Sequence, residues 1–214
     1  ANWLGSLDLA ETVVTFMGAH ALPEDTDRFS YINKIIQMLP EVKQYSDFCD
    51  VFCEEGAFTE SEARTILEAA KEHGFSLKIH ADEFGDTGGG KLAADLGVVS
   101  ADHLAGSTLE TIKKLQKAGV IGVLLPGTPF AILSDHFSPA RKMIANNLPI
   151  ALATDCNPNC YTESMQFIQQ LAVFRMKMTP AEALVASTIN AALAIGKTDR
   201  GCIAEGWRAD LLVC

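Results

Sequence analysis

No apolar run in this 214-residue chain approaches the ~20 residues a membrane-spanning helix requires, so no membrane partner is expected. Positive charge is scarce as well. Its 17 basic residues against 27 acidic ones give a net charge of −10, which argues against nucleic acid or an anionic membrane surface as partner. The first residues hold no basic stretch followed by an apolar one, so a cytoplasmic location without a signal peptide is expected. Low-complexity tracts are missing, as is any repeat of roughly 20–50 residues beyond an alternation of elements. Tightly spaced cysteine pairs are missing too. Cys49, Cys53, Cys156, Cys160, Cys202 and Cys214 include two Cys-x3-Cys pairs rather than the repeated Cys-x2-Cys of structural zinc sites, which favours reduced thiols.

What remains is an ordinary globular composition, 48% hydrophobic and 21% charged. The length suits one large core, or part of a (β/α) barrel, since such barrels run to roughly 250 residues. The most informative stretch is 76–83, Ser-Leu-Lys-Ile-His-Ala-Asp-Glu. Leu77 and Ile79 share one strand parity, Lys78 and His80 the other, giving an apolar and a polar face. A barrel covers the apolar face with helices and builds its site at strand C-termini. His80 could ligate a metal, and Glu83, past the strand end, could take a proton from an activated water.

Five further strands are expected at 12–20, 48–54, 98–104, 120–125 and 149–155. Helices are expected at 25–44, 59–73, around 91–96, 109–118, 139–146, 163–176 and 180–195. Thr59 with Glu62 forms a capping box at the start of the second helix, and Pro139 sits in the first turn of another. The run Gly85-Asp86-Thr87-Gly88-Gly89-Gly90-Lys91-Leu92 nearly matches the phosphate-binding pattern, but Leu92 stands where Ser or Thr would hold magnesium. A mobile glycine loop is therefore expected there. Strands alternating with helices imply a parallel α/β layout. Six strands against the eight of a closed barrel suggest a partial barrel, the C-terminal portion of a larger one. A flavodoxin-like open sheet is the alternative, though it would not explain polar residues at four strand ends.

Those residues are His20, His80 with Glu83, His103 and Asp155, which a barrel brings to one rim. Small Ala151 and Ala153 on the parity of Asp155 leave room for it at the mouth. His and Asp suit zinc or iron, and a catalytic zinc takes about three protein ligands plus water. Singly, His20 and His103 could be local hydrogen-bonders and Asp155 a turn cap before Asn157-Pro158. His73 and His136 read as surface residues.

These motifs resemble the amidohydrolase superfamily, with a metal-ligand His at the end of its fifth strand, a His after the sixth and an Asp after the eighth. More narrowly the chain resembles the imidazolonepropionases, which hydrolyse 4-imidazolone-5-propanoate to N-formimino-L-glutamate in histidine degradation. The resemblance rests on Gly18-Ala19-His20, Asp50-Val51-Phe52-Cys53-Glu54, Ile79-His80-Ala81-Asp82-Glu83, Ser100-Ala101-Asp102-His103-Leu104 and Leu124-Leu125-Pro126-Gly127. It continues through Ala153-Thr154-Asp155-Cys156-Asn157-Pro158, Met178-Thr179-Pro180 and Thr188-Ile189-Asn190-Ala191-Ala192, in family order along the chain.

The resemblance implies a metal-dependent (β/α)8 amidohydrolase barrel, about six of its eight units spanning 1–200, with 201–214 opening a small β domain. It implies His80 and Asp155 as ligands of one Zn²⁺ or Fe²⁺/Fe³⁺, and Glu83 as base with His103 and Asp155 catalytic. His20, Glu83, Asn157, Asn159 and Cys160 would contact the substrate, and a homodimer is the expected assembly. Asn159 and Cys160 depart from the Gly and Ser or Thr usual in the family. The superfamily's His-x-His pair and the family's upstream Arg and Tyr are absent, so the chain alone is expected to be metal-poor and inactive. Other readings are a cytosine- or guanine-type deaminase, and a non-catalytic barrel fragment that self-associates through open sheet edges.

Overall fold

The computed structural model describes residues 11–212. The ends of the expected domain division, 1–10 and 213–214 with Cys214, lie outside the described residues. Among those described, six parallel strands pair in strict chain order: β1 (Thr15–Ala19), β2 (Phe48–Cys53), β3 (Ser76–Ala81), β4 (Ser100–His103), β5 (Ile121–Leu124) and β6 (Ile150–Leu152). A flavodoxin-like sheet reverses its strand order at a switch point. This one does not, and its sequential winding is that of a barrel.

The crossover helices are set by their caps. Asp27 accepts from Ser30 N at 2.8 Å to open α1 (Arg28–Val42). Thr59 and Glu62 form the expected capping box of α2 (Glu60–Glu72). After α3 (Gly89–Leu96) and α4 (Leu109–Ala118), Gly97 and Gly119 take left-handed conformations that end each helix. Beyond β5 come α5 (Gly127–Ala131) and α6 (Ala140–Ala145), the first of these not foreseen. The expected helix over 180–195 is broken at Thr188 into α8 (Pro180–Ser187) and α9 (Ile189–Ala194), following α7 (Met165–Phe174).

One strand parity, including Val51, Ile79, Ala101 and Ile150, packs under the helices in the main core with Ile66, Leu67, Leu92 and Ile112. On the other parity a second cluster forms at β5 and β6, where Ile121, Val123, Leu125 and Ala151 meet Ala191 and Ala194 of α9. At β2 to β4 that same face carries Asp50, Lys78, His80 and Asp102. Lys78 Nζ donates to Ser100 Oγ (2.9 Å), which donates to Asp102 Oδ1 (3.0 Å). The buried ammonium is satisfied by that hydroxyl and by the Phe48 ring, whose centroid lies 5.5 Å away.

The glycine run is a correction. Gly89 and Gly90 are buried at the start of α3, and a Cβ on Gly90 would stand 2.5 Å from Asp82 Oδ2 and 2.6 Å from Thr111 Cγ2. These glycines are demanded by close packing rather than by mobility, and Gly90 N is already donated to Asp82 Oδ1. Described residues 201–212 carry turns and no strand, held by Arg208 N to Asp199 O and by ion pairs of Arg200 and Arg208 with Glu11.

Candidate active site

Three adjacent strands place one carboxylate between two imidazoles. Asp50 Oδ1 on β2 lies 3.1 Å from His80 Nδ1 on β3 and 3.4 Å from Nε2 of His20, which follows β1. Burial would raise the Asp50 carboxyl, but the His80 and His20 rings hold it below the usual carboxylate range. Burial likewise opposes charge on His80, yet Asp50, helped by Asp102 and Asp155, raises that imidazole to about 9.

His103 ends β4 opposite Ala81, so by strand parity it belongs on the helix side. Left-handed φ values of 72° at His103 and 58° at Leu104 redirect the chain there. Leu104 fills the core, while the His103 ring comes within 5.2 Å of the His80 ring. Such conformations cost on the order of 1–3 kcal/mol each and persist where surroundings impose them. Ser138 Oγ donates to His103 O at 2.6 Å, and Leu104 N donates to Ala81 O at 3.0 Å. Burial and the neighbouring His80 charge push the His103 imidazole down to about 3. Its Nδ1 stands 3.6 Å from Glu83 Oε1.

Glu83 is half-buried, and burial raises its carboxyl to about 7, with the Asp155 and Glu54 charges adding to the shift against the His80 charge. Asp155, at φ 52°, accepts a short hydrogen bond on Oδ2 from Thr128 Oγ1 of α5. Asn157 organises the loop beyond it. Its amide donates to Asp155 O at 2.8 Å and accepts from Asn159 N and Cys160 N.

A cavity of about 400 Å³ is lined by His20, Phe52, His80, Glu83, His103, Asp155, Asn157 and Asn159. Seven of the eight expected site residues thus meet at one rim. Cys160 does not: it is buried beneath the loop, with its thiol 3.6 Å from Thr154 O. Sequence reasoning passed over Asp50 and Thr128. The signal for Asp50 was a lone acid in the apolar strand Phe-Cys-Asp-Val-Phe-Cys, whereas Thr128 gave none. Cys49 and Cys53 are four strand residues apart, about 13 Å, so they cannot share a metal. Burial pushes both thiols up to about 12, leaving them protonated.

The donor set fits a metal ion. His20 Nε2 is buried without a hydrogen-bond partner, and one ligand atom from each of His20, Asp50 and His80 lies within 4.8 Å of the others. With Nδ1 of His80 turned to Asp50, its Nε2 is left for a ligand, an arrangement typical of metal-bound histidines.

The sequence model of the amidohydrolase family matches residues 14–214. The chain belongs to the amidohydrolase family. That family is metal-dependent, in keeping with the His–Asp–His cluster. The chain is 50% identical over 210 residues to an imidazolonepropionase of Geobacillus thermodenitrificans, covering 95% of the chain and 49% of that protein. It is 48% identical to the imidazolonepropionase of Caldanaerobacter subterraneus subsp. tengcongensis, over 99% of the chain and 52% of that protein. The chain thus spans about half the length of the curated relatives it matches.

Among solved structures, an adenosine deaminase from Xanthomonas campestris with bound zinc aligns at TM-score 0.70 and 19% identity, over 92% of this chain and 51% of that one. A guanine deaminase from C. acetobutylicum with bound guanine aligns at TM-score 0.71 and 15% identity, over 91% of this chain and 54% of that one. At such identities the likeness establishes this amidohydrolase's fold alone.

Proposed function

We propose that the protein carrying this chain hydrolyses the ring C–N bond of 4-imidazolone-5-propanoate to N-formimino-L-glutamate, a step of histidine degradation. The observation that carries this reading is the 46–50% identity to imidazolonepropionases over 95–99% of the chain. His80 and Asp155 would hold a zinc or iron ion, with Asp50 orienting His80 from the other side of its ring. Such an ion would polarise the ring carbonyl and lower the pKa of water to ~7.

The chain's own residues supply the rest. Glu83 takes the proton from the attacking water, whose oxygen joins the ring carbonyl carbon. It then returns that proton to the ring nitrogen as the C–N bond breaks. A carboxyl near 7 is poised for both transfers. His103 stays neutral and donates an N–H to the carbonyl oxygen as negative charge builds there. His20, Asn157 and Asn159 contact the substrate, and Cys160 supports their loop from below. The protein would act as a cytoplasmic homodimer, with 1–200 in the barrel and 201–214 leading into a small β domain.

Assigned this way, His80 and Asp155 give two ligands against about three in a catalytic site, while His20 and Asp50, although within ligand distance of His80, are given to the substrate and to the His80 ring, so the isolated chain should bind metal weakly and turn over nothing. The test compares hydrolysis of 4-imidazolone-5-propanoate with deamination of cytosine and guanine, using a metal-loaded protein of the relatives' length that carries this chain. Hydrolysis of the imidazolone alone is expected. Ammonia release from either base, with the imidazolone untouched, would overturn the assignment.

A further inference from the structure

The carboxylate of Glu54 lies one residue beyond β2, buried, and reaches into the neighbouring β/α unit. Its Oε2 accepts two backbone hydrogen bonds, from Glu83 N at 2.8 Å and Phe84 N at 3.1 Å. Its Oε1 accepts from Glu55 N at 3.1 Å, so both oxygens are spent within the fold. The other side of the same segment is fixed independently. Asp82, left-handed at φ 51° and fully buried, accepts from Ser107 Oγ at 2.6 Å and Gly90 N at 3.3 Å, and its carbonyl accepts from Gly106 N at 2.7 Å. Residues 82–84 are therefore gripped from the end of β2 on one side and from the start of α3 and the loop after β4 on the other.

A half-buried glutamate on a strand-end loop has no ladder to hold its backbone. Two charge-assisted bonds to consecutive amides supply that restraint, and they act at the residue whose side chain faces the cavity. We propose that Glu54 is the positioning residue for Glu83, holding its backbone so that its carboxylate stays within reach of the reacting atoms. This inference rests on the proton-transfer role given to Glu83. Glu54 is absent from the cavity wall, so it acts through Glu83 and touches no substrate.

Two measurements test it. In the protein of the relatives' length before metal is added, amide hydrogen exchange at Glu83 and Phe84 should accelerate in Glu54→Ala and less in Glu54→Gln, whose remaining oxygen can still accept. In the metal-loaded protein of the relatives' length, Glu54→Ala should lower kcat by ~100-fold with KM changed less than ~3-fold, as expected for a misplacement of about 1 Å. Glu54→Gln should recover at least ~10-fold of that loss. Should the alanine variant fail to fold, Glu54→Met, which keeps the bulk and removes both acceptor oxygens, replaces it, with the same loss of kcat expected and an unchanged kcat overturning the proposal. Unchanged amide exchange, or unchanged kcat with faster exchange, would overturn the proposal. Absence of any imidazolone turnover in the unsubstituted protein would instead sink the function assigned to the site, while the exchange data still decide whether the clamp exists.

Discussion

At the scale of single residues, the site is a set of opposed electrostatic environments only a few ångströms apart. His80 is raised to about 9 by carboxylates, while His103, whose ring lies 5.2 Å away, is pushed to about 3 by burial and by the His80 charge. In the metal-free chain the His103 ring resonances should therefore not titrate between pH 5 and 8 on a scale where an ordinary histidine turns over near ~6.5. The same shift has a stability consequence. The unfolded chain binds a proton below ~6.5 that folded His103 refuses until about 3, so His103 withdraws stability as pH falls through that window. His80 behaves oppositely. Its folded form binds the proton more tightly, so its contribution is present below ~6.5 and lost as pH rises towards about 9. Urea unfolding of the metal-free chain between these limits should show that decline, and Asp50→Asn should flatten it by removing the charge that raises His80. A metal must also displace the His80 proton, so its affinity should rise with pH over the same range.

At the scale of elements, strand ends and loop grips do the positioning. Six strands and most helices were legible from alternation and capping residues, because those signals are local. Thr59 with Glu62, the glycines after α3 and α4, and the Lys78–His80 parity all behave as their chemistry demands. What was not legible depends on contacts between units. His103 was expected at the rim, but the two consecutive left-handed residues that turn it into the cavity were not, and Gly89 and Gly90 look like a loop until their neighbours are known. Thr128 had no local signal because its partner, Asp155, is 27 residues away. The crowding at Gly90 yields a prediction. Gly90→Ala must displace Asp82 or Thr111 and should cost about 1–3 kcal/mol of stability, read by chemical denaturation. Loss of the Thr59 cap is milder. Thr59→Ala should cost about 1 kcal/mol, a fall in Tm of roughly 2–4 °C at this chain length.

At the scale of the whole molecule, the sheet order is the central fact. Strands added one after another in the same direction carry His20, Asp50, His80, His103 and Asp155 around a single rim, which no reversing sheet would do. Among the described residues β1 and β6 each pair on one side only. Beside β6, Asn190 of α9 donates to Ile150 O at 2.8 Å. Apart from the mid-strand Asp50, the rim was readable from sequence because its residues end strands, whereas the buried Lys78–Ser100–Asp102 relay beneath it needed the register between β3 and β4. The most direct test of the central claim follows loss of the ring ultraviolet absorbance of 4-imidazolone-5-propanoate, with the metal-loaded protein of the relatives' length and its Glu83→Gln variant. The account predicts turnover that falls by ~10²–10⁴-fold in the variant, with metal content unchanged. Turnover within a few-fold of the unsubstituted protein would contradict it.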